Sequence, residues 1–172
     1  MPDLPNTRLL QFDDLTSPII RTAIGYWMSK QETGLPMRRR DFDATEIPHL
    51  LPYLILLEVV RGQGAEITDF RYRVIGDVLL RYSRGNYTGR CFSEVEGQGP
   101  GSEVFTICSN VALQRRPLLL RPPYVGPHHH IFYCESSTMP LIDDQGNANR
   151  ILIACDFLPE SFAVQNGITA RA

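Results

Sequence analysis

The spacing of apolar positions changes several times along the chain, and each change predicts an element. Ile20, Ala23, Ile24, Trp27 and Met28 recur at steps of three and four, which puts them on one helical face. Ser17 precedes them as an N-cap, and Pro18 takes the first helical position, where a missing N–H costs nothing. Gly34, Leu35 and Pro36 supply a stop. The pattern predicts a helix over 17–34. Its apolar stripe needs a covering surface, either the domain's own sheet or a second copy of the chain. As a dimer contact the stripe comprises Ile20, Ile24, Trp27 and Met28.

Asp43 with Glu46 three residues on has the form of a capping box and predicts a short helix from Ala44 to Leu51, closed by Pro52. The period then falls to two. Leu54 to Val60 is a strand with Ile55, Leu57 and Val59 on one face and Glu58 on the other. After the turn Gly62-Gln63-Gly64 comes a strand from Asp69 to Ile75. It places Phe70, Tyr72 and Val74 on one face and Arg71 and Arg73 on the other. Gly76 to Val95 is short-helical and broken by Gly85 and Gly89. Ser102 caps a further helix with Val104, Phe105, Ile107, Cys108, Val111 and Ala112 on its apolar side, ending by Arg116-Pro117. Three strands follow, Leu118–Arg121, His130–Met139 and Arg150–Leu158, the last two joined by the hairpin turn Asp143 to Asn147. Short turns between strands imply antiparallel pairing. The expected fold is therefore α+β: a five-stranded antiparallel sheet with helices on one face, plus an N-terminal helix.

Composition narrows the class. A chain of 172 residues, 43% apolar and 21% charged, suits one domain with its own core. The expected division is an extension over 1–16, one domain over 17–158 and a tail over 159–172. A net charge of −2 argues against a nucleic-acid partner. No stretch approaches the roughly 18–20 apolar residues of a membrane span. The first residues resemble neither a signal nor a transit peptide, so the expected location is the cytoplasm. Cys91, Cys108, Cys134 and Cys155 lack Cys-x-x-Cys spacing and are expected as reduced thiols. Whether Cys134 and Cys155 meet across the hairpin depends on register, which the sequence leaves open.

The order of elements resembles the PAS sensory-domain superfamily. The resemblance is carried by Phe70-Arg71-Tyr72-Arg73-Val74-Ile75-Gly76, then Tyr87-Thr88-Gly89-Arg90, then Ser93-Glu94-Val95. Upstream, Trp27, Arg39-Arg40-Asp41-Phe42-Asp43 and Leu50-Leu51-Pro52 are similar to a family of stand-alone bacterial PAS proteins common in alphaproteobacteria. Met139-Pro140-Leu141 and Asp144-Gln145-Gly146 are similar to the same family. The resemblance implies a curved sheet whose helices cover a ligand-sized cavity. It also implies a sensory role, with no ligand identified.

Other chemistry is thinner. His128-His129-His130 could supply part of a zinc or haem site, with His128 and His130 on one strand face, but no further ligand motif completes it. Solvated histidines entering a strand are the simpler reading, so no metal ligand is assigned. Cys91 lies in Gly89-Arg90-Cys91-Phe92-Ser93, one position earlier than the reactive cysteine of flavin-binding PAS domains, and the neighbouring asparagine and arginine of that motif are absent. Arg38-Arg39-Arg40 is a solvated run with Arg39 or Arg40 paired to an acid. Arg73 either faces a cavity or pairs with Glu58.

The leading expectation is a ligand-sensing or protein-interaction module without catalysis. Its cavity would be lined by Phe70, Tyr72, Val74, Tyr87, Phe92, Phe105, Phe132 and Cys134, with Arg73 and His130 as polar anchors. Plain core packing is the competing account of that aromatic set. A cone-fold isomerase or dehydratase is a second reading. It would need Glu58, Glu135 or Asp156 beside His130. A dimerisation module with a filled core is a third. The expected partners are a small molecule, a signalling protein and a second copy of the chain; the cofactor is unknown.

Overall fold

The computed structural model describes residues 4–128 and 131–159. Among the described residues the chain is α+β, with a six-stranded antiparallel sheet and three α-helices. The strands are β1 (Arg8–Leu10), β2 (Leu54–Arg61), β3 (Ile67–Ile75), β4 (Leu118–Arg121), β5 (Ile131–Ile142) and β6 (Ala148–Pro159). The helices are α1 (Pro18–Ser29), α2 (Asp77–Tyr82) and α3 (Glu103–Gln114). The sheet runs β1-β4-β5-β6-β2-β3.

The sixth strand corrects the five expected. β1 is three residues long, too short to show a period, and forms because β4 offers it an open edge: Arg8 pairs with Arg121 and Leu10 with Leu119. Leu10 and Leu15 are buried, so part of the segment read as an N-terminal extension joins the core.

α2 and α3 share one face of the sheet, and the N-terminal helix covers the other. α1 packs with Met139, Leu141, Leu152 and Ala154 of β5 and β6. α3 packs on the opposite face with Leu57, Phe70 and Ile151. Because side chains alternate along a strand, β6 feeds both layers, Leu152 and Ala154 to one and Ile151 and Ile153 to the other. A strand covered on both sides reads as a continuous apolar run, which is what Ile151-Leu152-Ile153-Ala154 is.

The α1 stripe is spent within the chain. Ile20, Ile24 and Trp27 are at most 2% exposed and sit in the core. The Trp27 indole N–H donates to the Pro140 carbonyl at 2.8 Å. The same domain's sheet is therefore the covering surface, and a dimer through these three residues would have to expose the core. Met28 alone of the four is exposed. Ser17 caps the helix by accepting from the Ile20 N–H at 3.2 Å. The helix stops at Ser29 rather than at 34, because residues 29–34 offer no apolar side chain to bury.

Between α1 and β2 the expected helix from Ala44 to Leu51 is instead two 3-10 turns, Ala44–Glu46 and Leu51–Tyr53. Pro48 explains this: it removes an amide donor and pushes Ile47 out of the helical region. Asp43 does cap, accepting from Thr45 N–H at 2.8 Å, while Glu46 turns to Lys30 at 2.6 Å. Ser102 caps α3 as its position predicts, accepting from Phe105 N–H at 3.2 Å. The β5–β6 hairpin is held by the Asp143 carboxylate, which accepts from Gln145 and Asn147 N–H at 3.0 and 2.9 Å. Gly146 supplies the positive φ of 83°. No helix of the described residues is long and apolar enough to cross a membrane.

Candidate functional site

The inner face of the sheet and the segment from α2 to α3 border a half-open cavity of about 590 Å³. That is within the ~300–1,000 Å³ typical of small-molecule sites. Its floor comes from alternate residues of adjacent strands. Cys134, Ser136 and Thr138 of β5 lie beside Phe157, Cys155 and Ile153 of β6 respectively. Tyr72, Ile55 and Leu120 extend the floor to either side. The roof comes from Tyr82 of α2, Tyr87 and Phe92 of the loop beyond it, and Val104, Ile107 and Cys108 of α3. Pro122 to Gly126 flank the mouth, where Val125 is 75% exposed.

Two aromatic clusters line the space. Tyr72 has ring centroids 5.9 Å from Tyr87 and 5.1 Å from Phe92. Phe157 lies 4.7 Å from Tyr82 and 5.5 Å from Tyr124. The Tyr72 hydroxyl donates to Gln98 Oε1 at 2.6 Å, and burial pushes its pKa far above that of free tyrosine. Two of the thiols, Cys108 and Cys134, are kept neutral. Burial drives Cys108 up to about 12. A hydrogen bond to Cys155 and burial together hold Cys134 well above the usual thiol range. Cys134 and Cys155 thus do meet across the hairpin, as free thiols.

Of the residues expected to line a cavity, Tyr72, Tyr87, Phe92 and Cys134 do so. Phe70 and Phe105 do not. Phe70 is fully buried against Phe92 and Phe105, at 5.4 and 5.2 Å, as solid core. Val74 and Arg73 are corrections with one cause. The pairing of β2 with β3 slips between Leu56 and Leu57, opposite Val74 and Tyr72, leaving Arg73 as an extra residue. A bulge of this kind reverses the facing of the residues beyond it. Val74 is therefore 52% exposed on the far face. The Arg73 guanidinium lies 3.6 Å from Glu58, which also faces Arg71 at 3.9 Å and Arg150 at 3.6 Å. His130 lies outside the described residues, as does the Phe132 side chain. His128 is placed at the periphery, with Nε2 3.0 Å from the Arg81 carbonyl oxygen. In the arginine run, Arg40 pairs with Asp144 at 2.8 Å, Arg38 with Glu32 at 3.3 Å, and Arg39 lies over the Phe42 ring.

Sequence reasoning missed Tyr82, Tyr124, Phe157, Ser136 and Thr138. Counting by twos from Cys134 reaches Ser136 and Thr138, and the hairpin register then reaches Phe157. No comparable signal marks Tyr82 or Tyr124, which come from loops and a short helix that only tertiary packing places.

The acidic residues considered for catalysis are elsewhere. Glu135 and Asp156 are paired neighbours on the α1 side of the sheet. Glu135 accepts from Thr16 N–H at 2.9 Å and Ser17 N–H at 2.8 Å, and Asp156 accepts from Ser17 Oγ at 2.7 Å. This cluster fastens the start of α1 to the sheet. In comparisons with known proteins, no family model matches the chain, and no curated protein matches it.

Proposed function

We propose that the chain is a PAS-type sensory module that binds a small molecule in the cavity and signals through a partner protein rather than by catalysis. The observation that carries this reading is the 590 Å³ cavity between the sheet's inner face and the segment from α2 to α3. Two strands, short helical segments and three strands build it, the order that the PAS resemblance implies. A filled-core dimerisation module has no need of an aromatic-lined cleft of ligand size. The acids considered for a cone-fold enzyme, Glu58, Glu135 and Asp156, lie away from the cavity.

Native mass spectrometry of freshly purified protein, with an absorption spectrum of the same sample, tests the reading. The expected result is an adduct, or a rise in Tm with members of a metabolite library. Ile153→Trp, which fills the floor, is expected to abolish either effect while remaining folded. An apo mass, a featureless visible spectrum and no Tm shift with any compound would reject it.

A further inference from the structure

The cavity's polar groups are arranged in a way that restricts what it holds. Ser136 and Thr138 are 6% and 2% exposed and line the floor two residues apart on one strand face. Their hydroxyls have no hydrogen-bond partner among the described residues, and Thr7, 8% exposed, is a third such residue at the same cavity. Hydroxyls that face the open space of a cleft and make no bond within the protein are free to donate to and accept from a guest.

Among the described residues charge is missing at that depth. Arg84 and Glu96 line the mouth and are exposed, and the Arg84 guanidinium donates to the Val125 carbonyl at 3.2 Å. The Glu103 carboxylate accepts from the backbone and side-chain nitrogens of Asn6, each at 3.3 Å. The floor itself presents hydroxyls, thiols and apolar side chains. A carboxylate or phosphate pushed to the floor would meet no cation of the described residues, a heavy desolvation cost. Aromatic rings on both flanks favour flat, polarisable partners.

From these observations we propose that the cavity takes an uncharged aromatic or heteroaromatic molecule, its faces against the Tyr72 and Phe157 clusters and a hydrogen-bonding edge on Ser136 and Thr138. This rests on the reading that the cavity binds a ligand, and narrows it to one chemical class.

Four probes separate the parts of the proposal when titrated calorimetrically into the full chain. 2-Quinolone has a flat ring and an amide edge, naphthalene the ring alone, 2-quinolone-4-carboxylate an added charge, and 1-decanol an apolar chain with a hydroxyl. 2-Quinolone is expected to bind tightest. Naphthalene should bind ~10-fold more weakly, as the loss of one or two hydrogen bonds implies. The carboxylate should be weaker still. In Ser136→Ala/Thr138→Val the preference for 2-quinolone over naphthalene should disappear while naphthalene affinity holds, which also shows that the variant is folded. Equal binding of 2-quinolone and naphthalene to the unaltered protein would overturn the hydroxyl edge. Tightest binding by the carboxylate or by decanol would overturn the ligand class and leave a ligand-binding cavity standing. Binding of none of the four overturns this proposal, and the metabolite library then decides whether the broader reading fails with it.

Discussion

The Glu135 carboxylate is fully buried and lies 2.6 Å from the guanidinium of Arg121 on the adjacent strand, whose side chain is 9% exposed. Arg121 also donates to the Asp14 carbonyl at 3.1 Å, so a single ion pair ties β4, β5 and the approach to α1 together. Removing one partner of a buried pair leaves the other charge uncompensated. Glu135→Ala is expected to cost about 3–5 kcal/mol in urea unfolding. Replacing both residues by apolar ones, Glu135→Leu with Arg121→Met, should cost less than the single change. A single-variant loss below ~1 kcal/mol would show that the pair does not organise this region.

The same cluster predicts two opposed pH effects. Burial raises the Glu135 pKa, but hydrogen bonds from Thr16, Ser17 and Arg121 outweigh it, and the net value falls below the usual carboxylate range. Its stabilisation is present above about pH 4 and lost as pH falls through the lower folded value. Asp156 is shifted the other way, chiefly by burial and further by the Glu135 charge, against the Ser17 hydrogen bond. Its contribution is present below about pH 4 and lost as pH rises through the raised folded value. Tm measured from pH 3 to pH 8 should therefore show Asp156→Asn gaining on the unaltered protein as pH rises above about 4. Glu135→Gln should lack the acid-side decline. Parallel curves for all three proteins would contradict both assignments.

Trp27 is the chain's one tryptophan, which makes its burial directly measurable. It is 2% exposed and bonded to Pro140, so its emission should be blue-shifted and should move red on unfolding. Trp27→Ala is expected to cost about 3–5 kcal/mol by cavity formation. Trp27→Phe should cost about 1–3 kcal/mol by leaving the Pro140 carbonyl unpaired. Trp27→Glu should unfold the protein. A folded Trp27→Glu chain of reduced size in light scattering would restore the dimer-contact role.

The bulge at Arg73 makes two neighbours of similar appearance behave differently. Tyr72 is 6% exposed and faces the cavity, whereas Val74 is 52% exposed on the other face. Val74→Thr should change stability by no more than about 0.5 kcal/mol. Tyr72→Ala should cost about 3–5 kcal/mol, by analogy with other buried aromatics. Similar losses for both would place Val74 in the core and remove the bulge.

Local physics in the sequence determined much of this protein. Ser17 and Ser102 cap helices because a short hydroxyl next to a periodic apolar run satisfies the first free amides. The β5–β6 hairpin arises from Asp143 and Gly146, and the cavity-facing Tyr72 and Cys134 from a period of two. Even the α1 stripe was legible, although whether it met a sheet or a second copy was not, since an apolar face carries no information about its partner.

Tertiary structure decided the rest. Three-residue β1 exists only because β4 leaves an edge to pair, and Val74 turned outward because the β2–β3 register slips by one residue. Tyr82 and Tyr124 reached the cavity through segments with no period to read. Periodicity and caps are set within a turn or two of chain, so the sequence displays them. Register, edge pairing and the meeting of distant loops depend on which surfaces are covered once all the elements compete to bury theirs.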